Sequence, residues 1–432
     1  MRVLLLLPAA GYANQDFQEA AHKLGADVIT CADFCHRLAP GWGLPPLMSV
    51  SFDQPETSVP RILAALTGLG VAFAPSHSGG GLGRGTRSVA QPVDAVVASD
   101  DHGVELAAHL REALGLRGNA VDAVMCFRDK LRFRQLQQAH GLLYPAFSAL
   151  QHDDSGGTAC AYPGFPLVVK SRQLNASRGV IRANSPEELN RAIAQVRRIQ
   201  ARYLRDARAL GLLIEKFIPG VEVALEGVMQ NGELQVLALF DKPDPLDGPT
   251  FEESIYVTPS RLPAATQTAV RDAVSRACAA AGVTEGAIHA EARVNETGVW
   301  LLEIAPRAIG GLCGRVLAAT LGMDAAEIVL RHAVGLSLPE LASDTAAGVM
   351  MIPIPVSGIF QGVHGIDAAR AVRHVTGIEI TAQPGQLVAP PPEGASYPGF
   401  IFSRAATPQA AETALRTAHA ALTVCIQPLI EP

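Results

Sequence analysis

No run of apolar residues in this 432-residue chain approaches the roughly 20 needed to span a bilayer as a helix, although 48% of its residues are hydrophobic. No membrane partner is therefore expected. Nor is there an excess of basic charge. With 35 Lys and Arg against 41 Asp and Glu the net charge is −6, which argues against a general nucleic-acid binder. The seven cysteines are scattered, and the closest pair, Cys31 and Cys35, lacks CxxC spacing and has no second pair. They read as buried or free thiols of a reducing compartment, so a cytoplasmic location is expected. Long repeats and low-complexity linkers are also missing. The opening MRVLLLLP has one Arg and a short apolar run broken by Pro8, and so predicts a first buried strand rather than a signal peptide. No GxGxxG follows Leu7, which counts against a dinucleotide-dependent reductase.

A chain this long exceeds what one hydrophobic core supports, so two to four domains are expected. Residues 1–120 alternate short apolar strands (2–7, 27–30 and 71–75) with amphipathic helices at 17–24 and around 61–69. This βαβ rhythm predicts a small α/β domain with a mostly parallel sheet. The glycine-rich stretch 78–85 (SGGGLGRG) reads as a surface loop, because its spacing is not that of a nucleotide-binding loop. Residues 119–141 form a helical region in two parts, with Arg128, Lys130, Arg132 and Arg134 crowded on it; such a run is usually a solvated face. Ser185, Pro186 and Glu188 make a helix start, with Ser185 as N-cap and Glu188 completing a capping box. Strands follow at 212–217, 221–229 and 233–240, the last two joined by Asn231-Gly232, a strong hairpin signal. A helix over 266–281 ends at Gly282. Beyond about 346 come strands at 349–353 and 399–404, a Pro-rich loop at 390–398, and a last helix from Thr407-Pro408 to 422.

The most informative stretch is 288–311, IHAEARVNETGVWLLEIAPRAIGG. Alternation of Ile288, Ala290, Ala292 and Val294 with polar residues, then the Asn295-Glu296-Thr297-Gly298 turn and an apolar return strand, predicts a hairpin. Glu291 and Glu303 fall on its two strands. Carboxylates held side by side call for a cation, and oxygen-only ligands suit Mg²⁺ bridging phosphates. Arg307, four residues on, is placed to meet a phosphate or an acyl oxygen. An edge hairpin with solvated glutamates accounts for the same residues. Elsewhere the strand FPLVVK ends in Lys170, from which an ammonium can reach phosphates. The following 171–179 loop, with Ser171, Ser177 and Gly179, can fold over them as a lid of backbone N–H groups. Strand-end lysine, covering loop, two glutamates seven apart (Glu215 and Glu222) and paired metal carboxylates match what ATP-dependent acyl activation needs. There, cations must neutralise both a triphosphate and a substrate carboxylate.

With these motifs in this order, the chain resembles the ATP-grasp superfamily and, within it, carboxylate–amine ligases of the bacterial L-amino acid ligase type. The resemblance is carried by FRDKLRFRQ (127–135), FPLVVKSRQLNASRGV (165–180), LLIEKFIPGVEVALEG (212–227) and LALFDKPDPLDGPTFEESIYVTPSRL (237–262). It implies an α/β and α+β molecule with the ATP-grasp fold. A Rossmann-like pre-ATP-grasp domain (1–120) would precede a small lobe with the phosphate-covering loop (121–210), a large lobe with the metal site (211–345) and a C-terminal α+β domain (346–432). It implies ATP and Mg²⁺ (or Mn²⁺) as cofactors, small-molecule carboxylate and amine substrates, and a homodimer as the common assembly.

Residue by residue, the resemblance implies that Lys130 and Lys170 hold ATP phosphates. Glu215, Lys216 and Phe217 would form the hinge that meets the adenine amino group, with Glu222 accepting from the ribose. Glu291 and Glu303 would ligate the metal, Arg307 would steady the acyl phosphate, and Glu253 and Tyr256 would meet the substrate. Where many ATP-grasp enzymes carry a metal-binding asparagine two residues after the second Glu, this chain has Ala305. The amino acid ligase branch tends to carry a small residue there. The reaction implied is amide formation through an acyl phosphate, joining an amino acid to another amino acid or amine. Alternatives are a ligase acting on another kind of acid or amine and a non-catalytic ATP-binding module. No carrier-attachment segment is visible to support a biotin-dependent carboxylase.

Overall fold

The computed structural model describes residues 1–9, 11–33, 48–68, 92–151, 162–204, 211–338 and 345–429. In the first unit the strands β1 (Arg2–Leu7), β2 (Asp27–Ala32), β3 (Met48–Ser49) and β4 (Ala95–Ala98) form a parallel sheet in the order β3-β2-β1-β4. The leucine run of β1 is buried on both faces. Leu4 and Leu6 pack toward α2 (Pro55–Gly68) and α3 (Asp101–Leu114), while Val3, Leu5 and Leu7 pack toward α1 (Asn14–Lys23). A continuous apolar run is what a doubly covered parallel strand requires. The expected strand at 71–75 and the 78–85 loop lie outside the described residues. β4, absent from the sequence reading, is followed by Asp100, whose side chain caps α3 by accepting from the His102 amide.

The helical region divides at Asp129 into α4 (Val121–Arg128) and α5 (Lys130–Ala139). Asp129 is extended (φ −111°, ψ 109°) and caps α5 through the Leu131 amide, which places Lys130 at the first helical position. A second sheet, β5-β8-β6-β7, comprises β5 (Phe147–Leu150), β6 (Leu167–Ser171), β7 (Val180–Ala183) and β8 (Leu212–Lys216), covered by α6 (Pro186–Tyr203). Ser185 caps α6 by accepting from the Glu188 amide, and the Glu188 carboxylate reaches back to the Asn184 amide, one residue before the expected box position. β8 lies beyond the expected boundary at 210 and pairs with β5 and β6 within this sheet.

The largest sheet runs β13-β12-β9-β10-β11-β14-β18-β16 and is antiparallel wherever its strands pair. Its members are β9 (Val221–Gln230), β10 (Glu233–Lys242), β11 (Ile255–Thr258), β12 (Gly286–Asn295), β13 (Gly298–Ala305), β14 (Ala346–Met351), β16 (Val375–Ile380) and β18 (Gly399–Ala405). Asn231 and Gly232 both have positive φ (52° and 83°), as a two-residue turn with the twist of its strands demands. The boundary expected at 345/346 falls inside this sheet, since β14 pairs with β11 across it. A three-stranded sheet of β15 (Gly358–His364), β17 (Leu387–Val388) and β19 (Thr423–Pro428) completes the C-terminal region.

Candidate active site

Segments that follow β1 and β4, the β5-β8-β6-β7 sheet with its loop, and the largest sheet enclose a cavity of about 260 Å³. The candidate residues Lys130, Lys170, Ser177, Glu215, Lys216, Phe217, Glu222, Glu253, Tyr256, Glu291, Glu303 and Arg307 all line it. Chain folding thus gathers onto one surface residues separated by up to 177 positions in sequence. On its floor β12 and β13 pair Glu291 with Glu303 in register, and a bulge follows Glu291. Glu303 is not buried as its apolar neighbours suggest: its side chain is 31% exposed and lies 3.2 Å from Lys130 Nζ. Glu291 is 3.4 Å from Lys242 Nζ and accepts from His289 Nε2 at 3.2 Å. The two donors are oxygen only and face one cavity, a set that suits Mg²⁺ or Mn²⁺.

Lys170 Nζ lies 2.7 Å from Glu215 Oε2, and Arg134 Nε donates to Glu215 Oε1 at 2.6 Å. Burial alone would raise the Glu215 pKa, but these two cations hold it down at about 2. Burial lowers the Lys170 pKa despite Glu215. The Glu215 carboxylate is thus committed to two cations rather than left free for adenine. The amides of Lys216 and Phe217 bond Ala146 and Pro166 carbonyls, so an amino group at this hinge would have to meet a carbonyl oxygen. Glu222 is engaged as well, accepting from Lys242 Nζ at 2.9 Å and Arg293 Nε at 2.9 Å.

Two expectations fail for the covering loop. Ser171 follows Lys170 on β6, so alternation turns it to the opposite face, where its hydroxyl accepts from buried Gln200. The Gly179 amide is spent on the Pro392 carbonyl of the Pro-rich loop at 2.9 Å. Neither lines the cavity. The residues of the loop that do are Leu174, Asn175, Ala176, Ser177 and Arg178, with Val180 at the start of β7.

At the other end of the cavity Lys242 Nζ is surrounded by carboxylates: Glu222 at 2.9 Å, Glu253 at 2.5 Å and Glu291 at 3.4 Å. Burial and the nearby Glu291 charge push Glu253 up to about 7, against the pull of Lys242. Tyr256 lies beneath the same ammonium, 5.1 Å from ring centroid to Nζ. His289 is held by Glu226 on one nitrogen and Glu291 on the other; burial opposes its charge, but Glu226 raises it to about 9. Arg307 Nη2 donates to Asp101 Oδ2 at 2.6 Å and Nη1 to the Ala308 carbonyl at 2.7 Å. Despite burial, Arg307 and Arg128 hold Asp101 well below the usual carboxylate range.

Against known protein families, residues 163–316 match the ATP-grasp domain and residues 350–427 match L-amino acid ligase C-terminal domain 2. The chain thus contains an ATP-grasp domain over residues 163–316. Among its relatives, a D-alanine–D-alanine ligase of Pseudomonas entomophila is 28% identical over 229 residues, 51% of this chain and 69% of that protein. An alanine–anticapsin ligase of Bacillus amyloliquefaciens is 25% identical over 260 residues, 55% of this chain and 53% of that protein. An L-amino acid ligase from Bacillus licheniformis has the same fold, with a TM-score of 0.81 at 24% identity over 99% of both chains. The ATP-grasp fold expected from the sequence is the fold observed. ATP-grasp enzymes bind ATP, typically with Mg²⁺.

Asp101 and Asn175 enter the site without having been singled out as site residues from sequence; they are joined by Lys242, which the sequence leaves open between loop structure and a substrate contact, and by His289, which falls in a stretch (289–293) expected to build the substrate pocket. The signal for Lys242 is its place at the end of the apolar strand β10, directly after Asp241. Arg134, taken with its neighbours as a solvated face, is fully buried and bonds Glu215, Gln137 and the Leu302 carbonyl.

Proposed function

We propose that this chain is an ATP-dependent carboxylate–amine ligase that joins an amino acid to a second amino acid or amine through an acyl phosphate. The reading is carried by one observation: two lysines, two register-paired glutamates and Arg307 converge on a single cavity beneath a covering loop. The names of its relatives agree with it, since three of them are amino acid ligases.

In the first step a carboxylate oxygen of the substrate attacks the γ-phosphorus and the bond to ADP breaks. Lys130 and Lys170 neutralise phosphate oxygens, and loop residues 174–178 exclude water that would hydrolyse the product. In the second step the amine lone pair attacks the acyl carbon, phosphate departs with the C–O bonding electrons, and the amine loses a proton. Arg307 stabilises the oxygen on which negative charge develops. Glu253 would hold the substrate amino group beside Tyr256, a role supported by their shared place in the cavity lining. Glu291 and Glu303 would hold Mg²⁺, which supplies charge neutralisation between phosphates when bound. Free Cys31, Cys126, Cys278, Cys313 and Cys425 accord with a cytoplasmic site of action.

The test is phosphate release from ATP with Mg²⁺, screened against single amino acids and then pairs, with mass spectrometry of the products. Release that requires two amino acids and yields a condensed product supports the reading. Tight ATP binding with no release in any mixture would favour a non-catalytic module, and no ATP binding would overturn the reading altogether.

A further inference from the structure

Two adjacent residues of the covering loop are attached to two different ions of the site. The Leu174 carbonyl accepts from Lys130 Nζ at 2.7 Å, and the same ammonium lies 3.2 Å from Glu303. Asn175 Nδ2 donates to Asp101 Oδ2 at 2.9 Å, and that same oxygen accepts from Arg307 Nη2 at 2.6 Å. Asp101 belongs to neither the loop nor the β13 segment. It stands at the first turn of α3, fixed by the Asp100 cap, with Arg128 Nη1 3.7 Å from its other oxygen.

The geometry assigns Asp101 and Asn175 as positioning residues that couple loop closure to Arg307. A closed loop places the Asn175 amide on Asp101 and so fixes the carboxylate rotamer that aims Oδ2 at the guanidinium. With the loop open, Asp101 loses that donor and Arg307 loses its fixed partner. The consequence is order in the reaction: the cation that steadies the acyl phosphate is in place only when the loop shields that phosphate from water. This rests on the ligase reading above, with Arg307 acting on the acyl group. Geometry supports the coupling further, because Asp101 is 6% exposed and, among the described residues, the cation paired with its second oxygen is Arg128, 3.7 Å away.

Asn175→Ala removes the amide from a half-buried loop residue and leaves the hydrophobic cores intact. With a substrate pair found by the screen, amide formed per phosphate released should fall roughly tenfold, the cost of losing a hydrogen bond to a charged group. Asn175→Asp, which sets a second carboxylate against Asp101, should be worse than Asn175→Ala. Asp101→Asn combined with Asn175→Ala should be no worse than Asp101→Asn alone, because both act through one oxygen. A readout free of turnover is amide hydrogen exchange over residues 307–311 with Mg²⁺ and the non-hydrolysable analogue AMP-PNP. Asn175→Ala should raise it roughly tenfold, because Asn175 is linked to that segment through Asp101. Unchanged exchange in Asn175→Ala, or an amide-to-phosphate ratio in Asn175→Ala equal to that of a wild type that makes amide, overturns the coupling. A wild type that makes no amide from any pair defeats the ligase reading instead, and the exchange measurement then still decides whether loop and Arg307 are linked.

Discussion

Glu291 and Glu303 are register partners on β12 and β13, yet each carboxylate is held by a different ammonium group, Lys242 at 3.4 Å and Lys130 at 3.2 Å. Two facing carboxylates that each need a separate cation form a site where a divalent ion competes favourably, since one ion serves both. Glu303→Ala should therefore lower phosphate release by roughly a hundredfold or more. The melting temperature should stay put, because Glu303 is partly exposed and Lys130 keeps its bond to the Leu174 carbonyl. Phosphate-release kinetics and a thermal melt of the same preparation check this. Near-normal activity with a normal melt would remove Glu303 from the metal site.

Arg134 and Glu215 are 81 positions apart and both fully buried. Arg134→Ala strips Glu215 of one of its two cations and removes the guanidinium donor from the Leu302 carbonyl. Breaking a buried pair from one side costs about 3–5 kcal/mol, so a large fall in denaturant midpoint is expected. Urea unfolding of the variant measures it. A loss below about 1 kcal/mol, the range of surface pairs, would show that Lys170 alone satisfies Glu215.

What the sequence disclosed was local. The Asn231-Gly232 turn, the Ser185 cap, the leucine run of β1 and the Glu291–Glu303 pairing all follow from neighbouring residues and a period of two or 3.6. Asp101, Asn175 and Arg134 stayed hidden because their meaning depends on partners 206, 74 and 81 positions away. Four basic residues crowded together look solvated until one is known to point at a distant carboxylate. Ser171 was misplaced for a different reason. Its strand does not end at Lys170, so strand alternation rather than loop geometry decides which way its hydroxyl faces.

The same buried pair sets a pH dependence. Glu215 has an ordinary value of 4.5 and is held at about 2 in the folded chain, where burial is outweighed by Arg134 and Lys170. A depressed carboxylate contributes stability that is fully present above its unfolded value and is lost as the pH falls through the folded one. Stability should therefore decline between about pH 4.5 and pH 2. In Glu215→Gln the decline should be shallower over that window, from a lower starting stability at neutral pH. Denaturation at a series of acid pH values gives both slopes, and parallel slopes would remove Glu215 from the acid response.

Lys242 carries the most lopsided charge balance in the site: one ammonium among Glu222, Glu253 and Glu291, with only Arg293 and His289 to help. Lys242→Met keeps most of the volume and removes the cation, leaving three carboxylates whose oxygens lie within 4.8 Å of one another. Mutual repulsion in a buried site should cost about 3 kcal/mol or more at neutral pH. The same change turns the cluster into a set of hard oxygen donors with no resident counter-charge. Millimolar Mg²⁺ or Ca²⁺ should then raise the melting temperature of Lys242→Met more than that of the wild type, because an ion bound only to the folded state stabilises it. Equal shifts in the two proteins would mean that Arg293 and His289 already neutralise the cluster.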